Sequence, residues 1–483
     1  MKSSSYWVSG TAVSFDTQQP LDVDADGWVR SLLPGQVART VLSNNAGRYP
    51  AGQYVVRFKG TGAMKIDGGT VVSSRAGEIV LQVTPSSNNN FMVEISATNP
   101  ADYLREITFT MPGGICEGDP FTTVASAQVC GTRRFLSFAD NSGTVIFNPV
   151  FLSKLRNYSV LRFMDWGATN NSEAKTWTPR NLVSNRQWWN PPIEVMIELC
   201  NRLGAHPWFT IPHQTDDAYS QNFAQLVKAK LNPNLRVYVE YSNEVWNWYF
   251  QQTSYANAQG KLQNPPINHL QYYALRSRAV GAIFKDVLGS SRVVAVIGAQ
   301  SGSQAVGVME MDYLKARFGT ATGIDAIAIA PYLAVAATTT TINTYEGMTL
   351  DALFAEVRTQ VLQSINTQMK NYRILADSYS LSLIAYEGGQ HLVSVGDAQN
   401  NDRVNALFFA FNRDPRIKQL YLDYLALWKA AGGQLFVHYN DVGEFSKFGS
   451  WGSLERVDQL RSAAPKFDAL QTFIEQNPVW WSQ

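Results

Sequence analysis

Residues 236–244, Arg-Val-Tyr-Val-Glu-Tyr-Ser-Asn-Glu, form the stretch on which the fold prediction depends. An alternating apolar run, typical of a β-strand, ends there in Asn243-Glu244. A second run, Leu383-Ile384-Ala385-Tyr386, ends in Glu387 and is followed by two glycines. The carboxyl ends of the strands in a parallel barrel share one face, so both glutamates are expected to converge there.

From about Asn148 onward, strand-like and helix-like patterns alternate. This repetition predicts parallel strands with right-handed crossovers, and hence a (β/α)8 TIM barrel of the α/β class. Closure needs one more strand, which could lie near residues 6–14 or near residues 134–138. The seven strand-like runs are Ser159–Met164, His206–Ile211, Arg236–Tyr241, Arg292–Ala299, Ile324–Ala330, Leu381–Tyr386 and Gly433–Tyr439.

Helix signals between the strands support this alternation. Asn190 is a potential N-cap followed by Pro191, and the apolar stripe that starts at Ile193 ends before Gly204. A second helix is predicted from Asp216 through Val227.

The region before residue 113 has a different pattern. Short, partly alternating runs separated by Gly, Asn, Ser and Pro predict an antiparallel β-sandwich over residues 16–113. Residues 1–15 are a possible first barrel strand, and residues 114–483 are assigned to the catalytic barrel. The sandwich is either a carbohydrate-binding module or a structural domain. Its predicted strands are Gln53–Phe58, Glu78–Val83, Phe91–Ile95 and Arg105–Phe109.

Composition excludes several functional classes. The net charge is +1 and no basic run occurs, which argues against a nucleic-acid partner. No apolar run reaches the roughly 20 residues of a membrane helix. The five histidines form no HExxH motif, and there is no P-loop or G-x-S-x-G motif, so neither a metal nor a cofactor is expected.

Aromatic residues and cysteines give weaker indications. Aromatic side chains make up 12% of the chain, and tryptophans cluster between Trp166 and Trp248, which suits a saccharide cleft although most aromatic rings are expected in the core. Cys200 is expected to be a buried thiol. Cys116 and Cys130 either form a disulfide or remain free, depending on the redox compartment.

The two strand-end glutamates, with the residues at neighbouring strand ends, resemble the clan A glycoside hydrolases, a cellulase-like superfamily of retaining (β/α)8-barrel enzymes. The resemblance implies that Glu244, after Asn243, is the acid/base and that Glu387 is the nucleophile. It also implies substrate-site positions for Arg162, for His213 (or less well His206), and for Tyr332. The further substrate-binding candidates are Trp166, Trp246, His438 and Trp451, of which the last two replace the tryptophan that the superfamily often has at strand 8.

Glycoside hydrolysis explains why two carboxyl groups are needed. One protonates the leaving oxygen and the other attacks the sugar, with about 5–5.5 Å between them in retaining enzymes. Arg162 and Tyr332 are expected to keep Glu387 ionised, and burial among Trp246, Trp248 and Trp208 is expected to keep Glu244 protonated.

The sequence therefore predicts a retaining glycoside hydrolase that cleaves β-glycosidic bonds inside a polysaccharide. The alternatives are an exo-acting β-glycosidase and a non-catalytic saccharide-binding protein on a barrel scaffold. The partner expected is a polysaccharide or oligosaccharide. The N-terminus, MKSSSYWVSG, has no signal-like apolar stretch, yet a secreted location is expected with the leader removed.

Overall fold

The computed structural model describes residues 5–42, 45–87, 90–320 and 322–481. The chain divides into two compact units. The first comprises the residues up to Leu155 together with Arg180–Val195, and the second comprises Arg156–Pro179 and the residues from Met196 onward. Residues 114–155, which the sequence prediction placed with the barrel, lie in the first unit. None of the helices in the described ranges is both long enough and apolar enough to cross a membrane.

The first unit is built from short antiparallel strands. Two four-stranded sheets have the orders β1-β4-β9-β6 and β10-β5-β8-β7. Its elements are β1 (Val8–Gly10), β2 (Asp22–Val23), β3 (Val29–Ser31), β4 (Val37–Leu42), β5 (Gly52–Lys59), β6 (Gly62–Asp67), β7 (Thr70–Arg75), β8 (Glu78–Val83), β9 (Phe91–Thr98), β10 (Arg105–Thr110), β11 (Gly114–Cys116), β12 (Asp119–Val124), β13 (Phe135–Ser137) and helix α1 (Pro149–Leu155).

The two four-stranded sheets share one apolar core, so they pack face to face as a sandwich. Tyr54 and Leu81 from one sheet and Phe91 and Val93 from the other lie in the same buried cluster. The four strands predicted from the sequence are all present as β5, β8, β9 and β10. Alternating apolar positions predicted them because one face of each strand is buried.

The second unit contains a six-stranded parallel sheet of order β14-β15-β16-β17-β18-β20, with helices between its strands. A parallel two-stranded sheet, β19-β21, accompanies it. The strands are β14 (Val160–Arg162), β15 (His206–Ile211), β16 (Val237–Tyr241), β17 (Val293–Gly298), β18 (Ala326–Ile329), β19 (Leu333–Ala337), β20 (Ser382–Ala385) and β21 (Gln390–Ser394). The helices that follow α1 are α2 (Ile193–Leu203), α3 (Asp217–Lys230), α4 (Gln251–Lys261), α5 (His269–Leu288), α6 (Gln304–Phe318), α7 (Ile342–Glu346), α8 (Leu350–Glu356), α9 (Leu362–Ser378), α10 (Asp402–Arg413), α11 (Arg416–Ala430) and α12 (Pro465–Gln476).

Six of the seven predicted strands form this sheet, and the seventh run contributes a parallel bridge between Phe436 and Ala385. Both suggestions for the missing first strand were wrong. Val8–Gly10 pairs antiparallel with β4, and Phe135–Ser137 pairs antiparallel with β11. Each of these three-residue runs joins a strand close by in the sequence, which needs less loop-closure entropy than a distant partner. Within the described residues, these six strands and the bridge form a parallel sheet, and the hydrogen bonds do not show its closure into a barrel.

The helix predicted at Asn190 begins later than expected. It starts at Ile193, because Pro191 is itself followed by Pro192 and a residue before proline disfavours helical backbone. Its end before Gly204 is as predicted, with that glycine at φ +67°. Helix α3 begins as predicted, since the Asp216 side chain accepts from the Tyr219 amide.

One face of the parallel sheet changes from apolar to polar toward the carboxyl ends of its strands. Val160, Trp208, Tyr238 and Val296 belong to one buried cluster on that face. Glu240 follows Tyr238 at the two-residue period of a strand, so it lies on the same face one layer further along. The candidate site lies at this polar layer.

Candidate active site

Neighbouring parallel strands bring the predicted site residues together at their carboxyl ends. Arg162 is the last residue of β14, and Asn243 and Glu244 follow β16. Tyr332 follows β18, and Glu387 follows β20. Because the strands are parallel and in register, these side chains share one edge of the sheet.

The guanidinium of Arg162 is the centre of the polar network. Nη1 donates to Glu387 Oε1 at 2.7 Å, and Nη2 donates to Glu240 Oε2 at 2.9 Å and to Asn243 Oδ1 at 2.8 Å. Nε also donates to Glu240 Oε2, at 3.1 Å. The guanidinium carbon lies 5.5 Å from the ring centroid of Trp208. One buried guanidinium therefore donates hydrogen bonds to two buried carboxylates.

Burial and charge oppose each other in this network. Burial alone would lower the pKa of Arg162, but the carboxylates of Glu240 and Glu387 outweigh it and raise the pKa. Burial raises the pKa of Glu387, while Arg162 and the Tyr332 hydroxyl lower it in part. The Tyr332 hydroxyl donates to Glu387 Oε2 at 2.8 Å. Both oxygens of Glu387 thus accept a hydrogen bond, which orients the carboxylate and favours its ionised form.

Glu244 has a different environment. Its Oε1 accepts from the Tyr386 hydroxyl at 3.0 Å and its Oε2 from the Asn247 amide at 3.0 Å. Neither partner carries a positive charge. Burial, and next the negative charge of Glu387, raise the pKa of Glu244 to about 7. Burial raises the pKa of both glutamates, but only Glu387 has a cationic hydrogen-bond partner.

The turn that carries Glu244 has a strained backbone. Ser242 has φ +61° and Glu244 has φ +44°, values in the left-handed region that residues other than glycine seldom adopt. Gln252 Nε2 secures the turn by donating to the Asn243 carbonyl at 2.9 Å and to Asn170 Oδ1 at 2.7 Å. Strain of this kind is found where a side chain must be held in one position.

The amide of Asn243 is fixed at both ends. Its Oδ1 accepts from Arg162, and one Nδ2 hydrogen is donated to Asn170 Oδ1 at 3.0 Å. A side-chain amide carries two N–H donors, and the second one makes no hydrogen bond to another described residue.

The histidine candidates near β15 lie outside the Arg162 network. His213 is 2% exposed, its ring packs edge-on against Tyr255, and burial lowers its pKa to about 4. The alternative His206 was wrong, because it is the first residue of β15 and so lies at the amino end of the strand. Its Nδ1 accepts from the Arg236 amide.

The aromatic candidates occupy varied positions. Trp166 is half-buried beside Phe163, and the half-buried Trp246 has an indole nitrogen with no hydrogen-bond partner among the described residues. The expectation that Trp246, Trp248 and Trp208 bury Glu244 stays a prediction. Trp208 donates to Glu240 Oε2 at 2.9 Å, and Trp248 is 59% exposed.

The two candidates near the final strand differ in their contacts. The His438 Nε2 lies 3.4 Å from the Tyr421 hydroxyl, and burial lowers the pKa of this histidine to about 3. The Trp451 Nε1 donates to Nδ1 of His391 at 2.9 Å. Substrate binding by His213, Trp166, Trp246, His438 and Trp451 stays a prediction.

The structure adds residues that the sequence analysis missed. Glu240 and Tyr386 each bond directly to a predicted site residue, as do Asn170 and Asn247. For Glu240 a signal was available, because a carboxylate inside a buried parallel strand needs a buried partner. In the described ranges, no cluster of three or more His, Cys, Asp or Glu side chains is arranged to hold a metal ion.

Comparisons with known proteins give only weak likenesses. No family model and no curated protein matches the chain. Among solved structures, the Clostridium thermocellum endo-1,4-beta-D-xylanase 10B modules CBM22-1-GH10, complexed with xylohexaose, align with TM-score 0.40 and 11% identity, over 99% of this chain and 94% of that one. The Fusarium oxysporum 4-O-alpha-L-rhamnosyl-beta-D-glucuronidase aligns with TM-score 0.40 and 12% identity, over 67% and 64%. GH10 from Paenibacillus barcinonensis aligns with TM-score 0.39 and 11% identity, over 70% and 95%.

Proposed function

We propose that this protein is a retaining glycoside hydrolase that cleaves β-glycosidic bonds within a polysaccharide. The observation that carries the proposal is the contrast between the two glutamates. Glu387 accepts hydrogen bonds from Arg162 and Tyr332, whereas Glu244 has neutral partners and a pKa raised to about 7 by burial and by the charge of Glu387. One carboxyl is suited to nucleophilic attack and the other to proton donation.

The proposed reaction has two displacements. Glu387 attacks the anomeric carbon while Glu244 gives its proton to the leaving oxygen, so the glycosidic bond breaks and a glycosyl ester forms. Glu244, now ionised, then removes a proton from water, which attacks the anomeric carbon and releases Glu387. In this scheme the free N–H of Asn243 donates to a hydroxyl of the bound sugar.

The proposal extends to the scaffold and the location. We propose that the parallel sheet belongs to a (β/α)8 barrel and that a carboxyl separation of about 5–5.5 Å accompanies the retaining mechanism. An extracellular site of action is supported by the Cys116–Cys130 disulfide, since disulfides persist in oxidising compartments.

Product analysis on glucans, xylans, mannans and bacterial exopolysaccharides tests the activity. Short oligosaccharides released early indicate internal cleavage, whereas monosaccharide or disaccharide release alone indicates exo action. Binding without hydrolysis of any member would contradict the proposal and favour a saccharide-binding protein.

Two variants then test the roles. Glu387→Ala should abolish turnover, and Glu244→Ala should lose about 10²–10⁴-fold, with a smaller loss on substrates that have good leaving groups. Azide should rescue the Glu244 variant and give the β-glycosyl azide, because this small anion can attack the glycosyl-enzyme without a base. Glu198→Ala is the matched control, because this carboxylate pairs with Arg202 on the surface of α2. An inverted azide formed by the Glu244 variant, or wild-type activity of Glu387→Ala, would refute the assignment.

A further inference from the structure

A row of three rings leads from Glu387 to a second polar group. Tyr332, which donates to Glu387, has its ring 5.4 Å from that of His391. The His391 ring stacks on Trp451 at 5.7 Å with an interplanar angle of 26°. His391 therefore lies beside the tyrosine that holds the carboxylate.

The hydrogen bond from Trp451 determines which nitrogen of His391 carries the proton. The indole Nε1 can only donate, and it donates to Nδ1 of His391 at 2.9 Å. The neutral ring must then have its hydrogen on Nε2. Burial lowers the pKa of His391, which also favours the neutral ring. Nε2 makes no hydrogen bond to any described residue, and the ring is only half-buried, so its N–H is available to a ligand.

A hydrogen bond links the residue that precedes His391 to the residue that precedes Trp451. The Ser450 carbonyl, next to Trp451, accepts from Gln390 Nε2 at 2.6 Å and from the buried Lys466 Nζ at 2.5 Å. Gln390 precedes His391, and β21 is paired with β19 at Ala334–His391. His391 is thus a rigid donor on a strand, as a residue that discriminates between ligands must be.

We propose that His391 is a specificity-determining residue whose Nε2–H donates to one hydroxyl of the sugar that Glu387 attacks. This inference rests on the proposed function. It assigns Trp451 a positioning role, because its indole N–H sets the tautomer of His391.

The test compares monodeoxy aryl glycosides of the sugar that the wild-type enzyme hydrolyses. Loss of the contacted hydroxyl should lower wild-type kcat/KM by about 3- to 10-fold, the range expected for one hydrogen bond. In His391→Ala this penalty should vanish for that hydroxyl and persist for the others. His391→Gln retains a terminal N–H₂ donor, so loss of the contacted hydroxyl should still lower kcat/KM in this variant, by a smaller factor than in the wild type.

A second measurement does not use turnover. The ¹⁵N NMR shifts of His391 in the wild-type protein should show the Nε2–H tautomer, and Trp451→Phe, which keeps a ring but lacks the N–H, should give a mixture. The His391 assignment alone would be overturned by an Nδ1–H tautomer in the wild-type protein. It would also be overturned if loss of each hydroxyl lowered kcat/KM by the same factor in both His391 variants as in the wild type. Failure of the wild-type protein to hydrolyse any glycoside would overturn the proposed function and this inference with it.

Discussion

Two tyrosines provide a matched pair of probes for the roles of the glutamates. Tyr332 donates to Glu387 at 2.8 Å, and Tyr386 donates to Glu244 at 3.0 Å. Phenylalanine at either position removes one hydroxyl and keeps the ring. Each substitution therefore removes one hydrogen bond to one carboxylate.

The expected size of the effect follows from the strength of such a bond. A hydrogen bond to a charged group contributes about 1.5–3 kcal/mol, and 1.36 kcal/mol corresponds to about one pKa unit. Losing the donor disfavours the ionised form, so the pKa of the affected carboxyl should rise by about 1–2 units. In the proposed mechanism Glu387 must be ionised, and hence Tyr332→Phe should move the acidic limb of the kcat/KM profile upward. Glu244 must be protonated, and hence Tyr386→Phe should move the alkaline limb upward from about pH 7.

The assay is kcat/KM against pH on an aryl glycoside, since this parameter reports the free enzyme. The opposite pattern, with Tyr332→Phe moving the alkaline limb, would mean that the two glutamates have exchanged roles. If neither limb moves in either variant, the hydrogen bonds from the two tyrosines do not determine the pKa values of Glu387 and Glu244, and the prediction is wrong.

Three further predictions concern stability in urea. Glu240→Ala should lower the free energy of unfolding by about 3 kcal/mol, because it leaves the buried Arg162 with one carboxylate partner fewer. A change below about 1 kcal/mol would show that Glu387 alone is enough to compensate the buried charge of Arg162. The double variant Cys116→Ser/Cys130→Ser should lower the free energy of unfolding by about 3 kcal/mol, because the unfolded chain gains conformational entropy without the cross-link. A reductant should cause the same loss of stability in the wild-type protein and none in the variant. Glu244 keeps its proton to about pH 7 in the folded state and to about 4.5 when unfolded, so it should lower wild-type stability by about 3 kcal/mol as pH rises through that window. Glu244→Gln should show a smaller fall, and equal slopes in the two proteins would contradict the raised pKa of Glu244.

Periodicity predicted much of the fold because burial imposes it. Alternating or continuous apolar runs predict four strands of the sandwich, β5, β8, β9 and β10, and all six strands of the parallel sheet. The same reasoning predicted that Glu244 and Glu387 lie at one edge, since each follows a parallel strand. The positions of Arg162, Asn243 and Tyr332 were implied by the family resemblance. Strand pairing was harder to predict. A three-residue run such as Val8–Gly10 fits either kind of sheet, and only its partner decides.

The contacts that tune the site depend on side-chain geometry, which the sequence does not contain. Tyr386 and Glu387 are adjacent, yet Tyr386 bonds to Glu244 and not to its neighbour. Trp248 follows Glu244 closely in sequence but is exposed. The role proposed for His391 depends on its hydrogen bond to Trp451, 60 residues later, which the sequence does not predict.

Arg162 is shared between two carboxylates, so its charge balances only one of them. With Glu240 and Glu387 ionised and Glu244 protonated, this buried network carries a net negative charge in a region that water hardly screens. Such a site attracts a cation more strongly than a neutral sugar. In the proposed mechanism, a pyranose ring that gains positive charge on its way to the glycosyl ester is therefore stabilised more than the resting substrate. By the same attraction, a sugar analogue with a protonated ring nitrogen should bind more tightly than its oxygen counterpart.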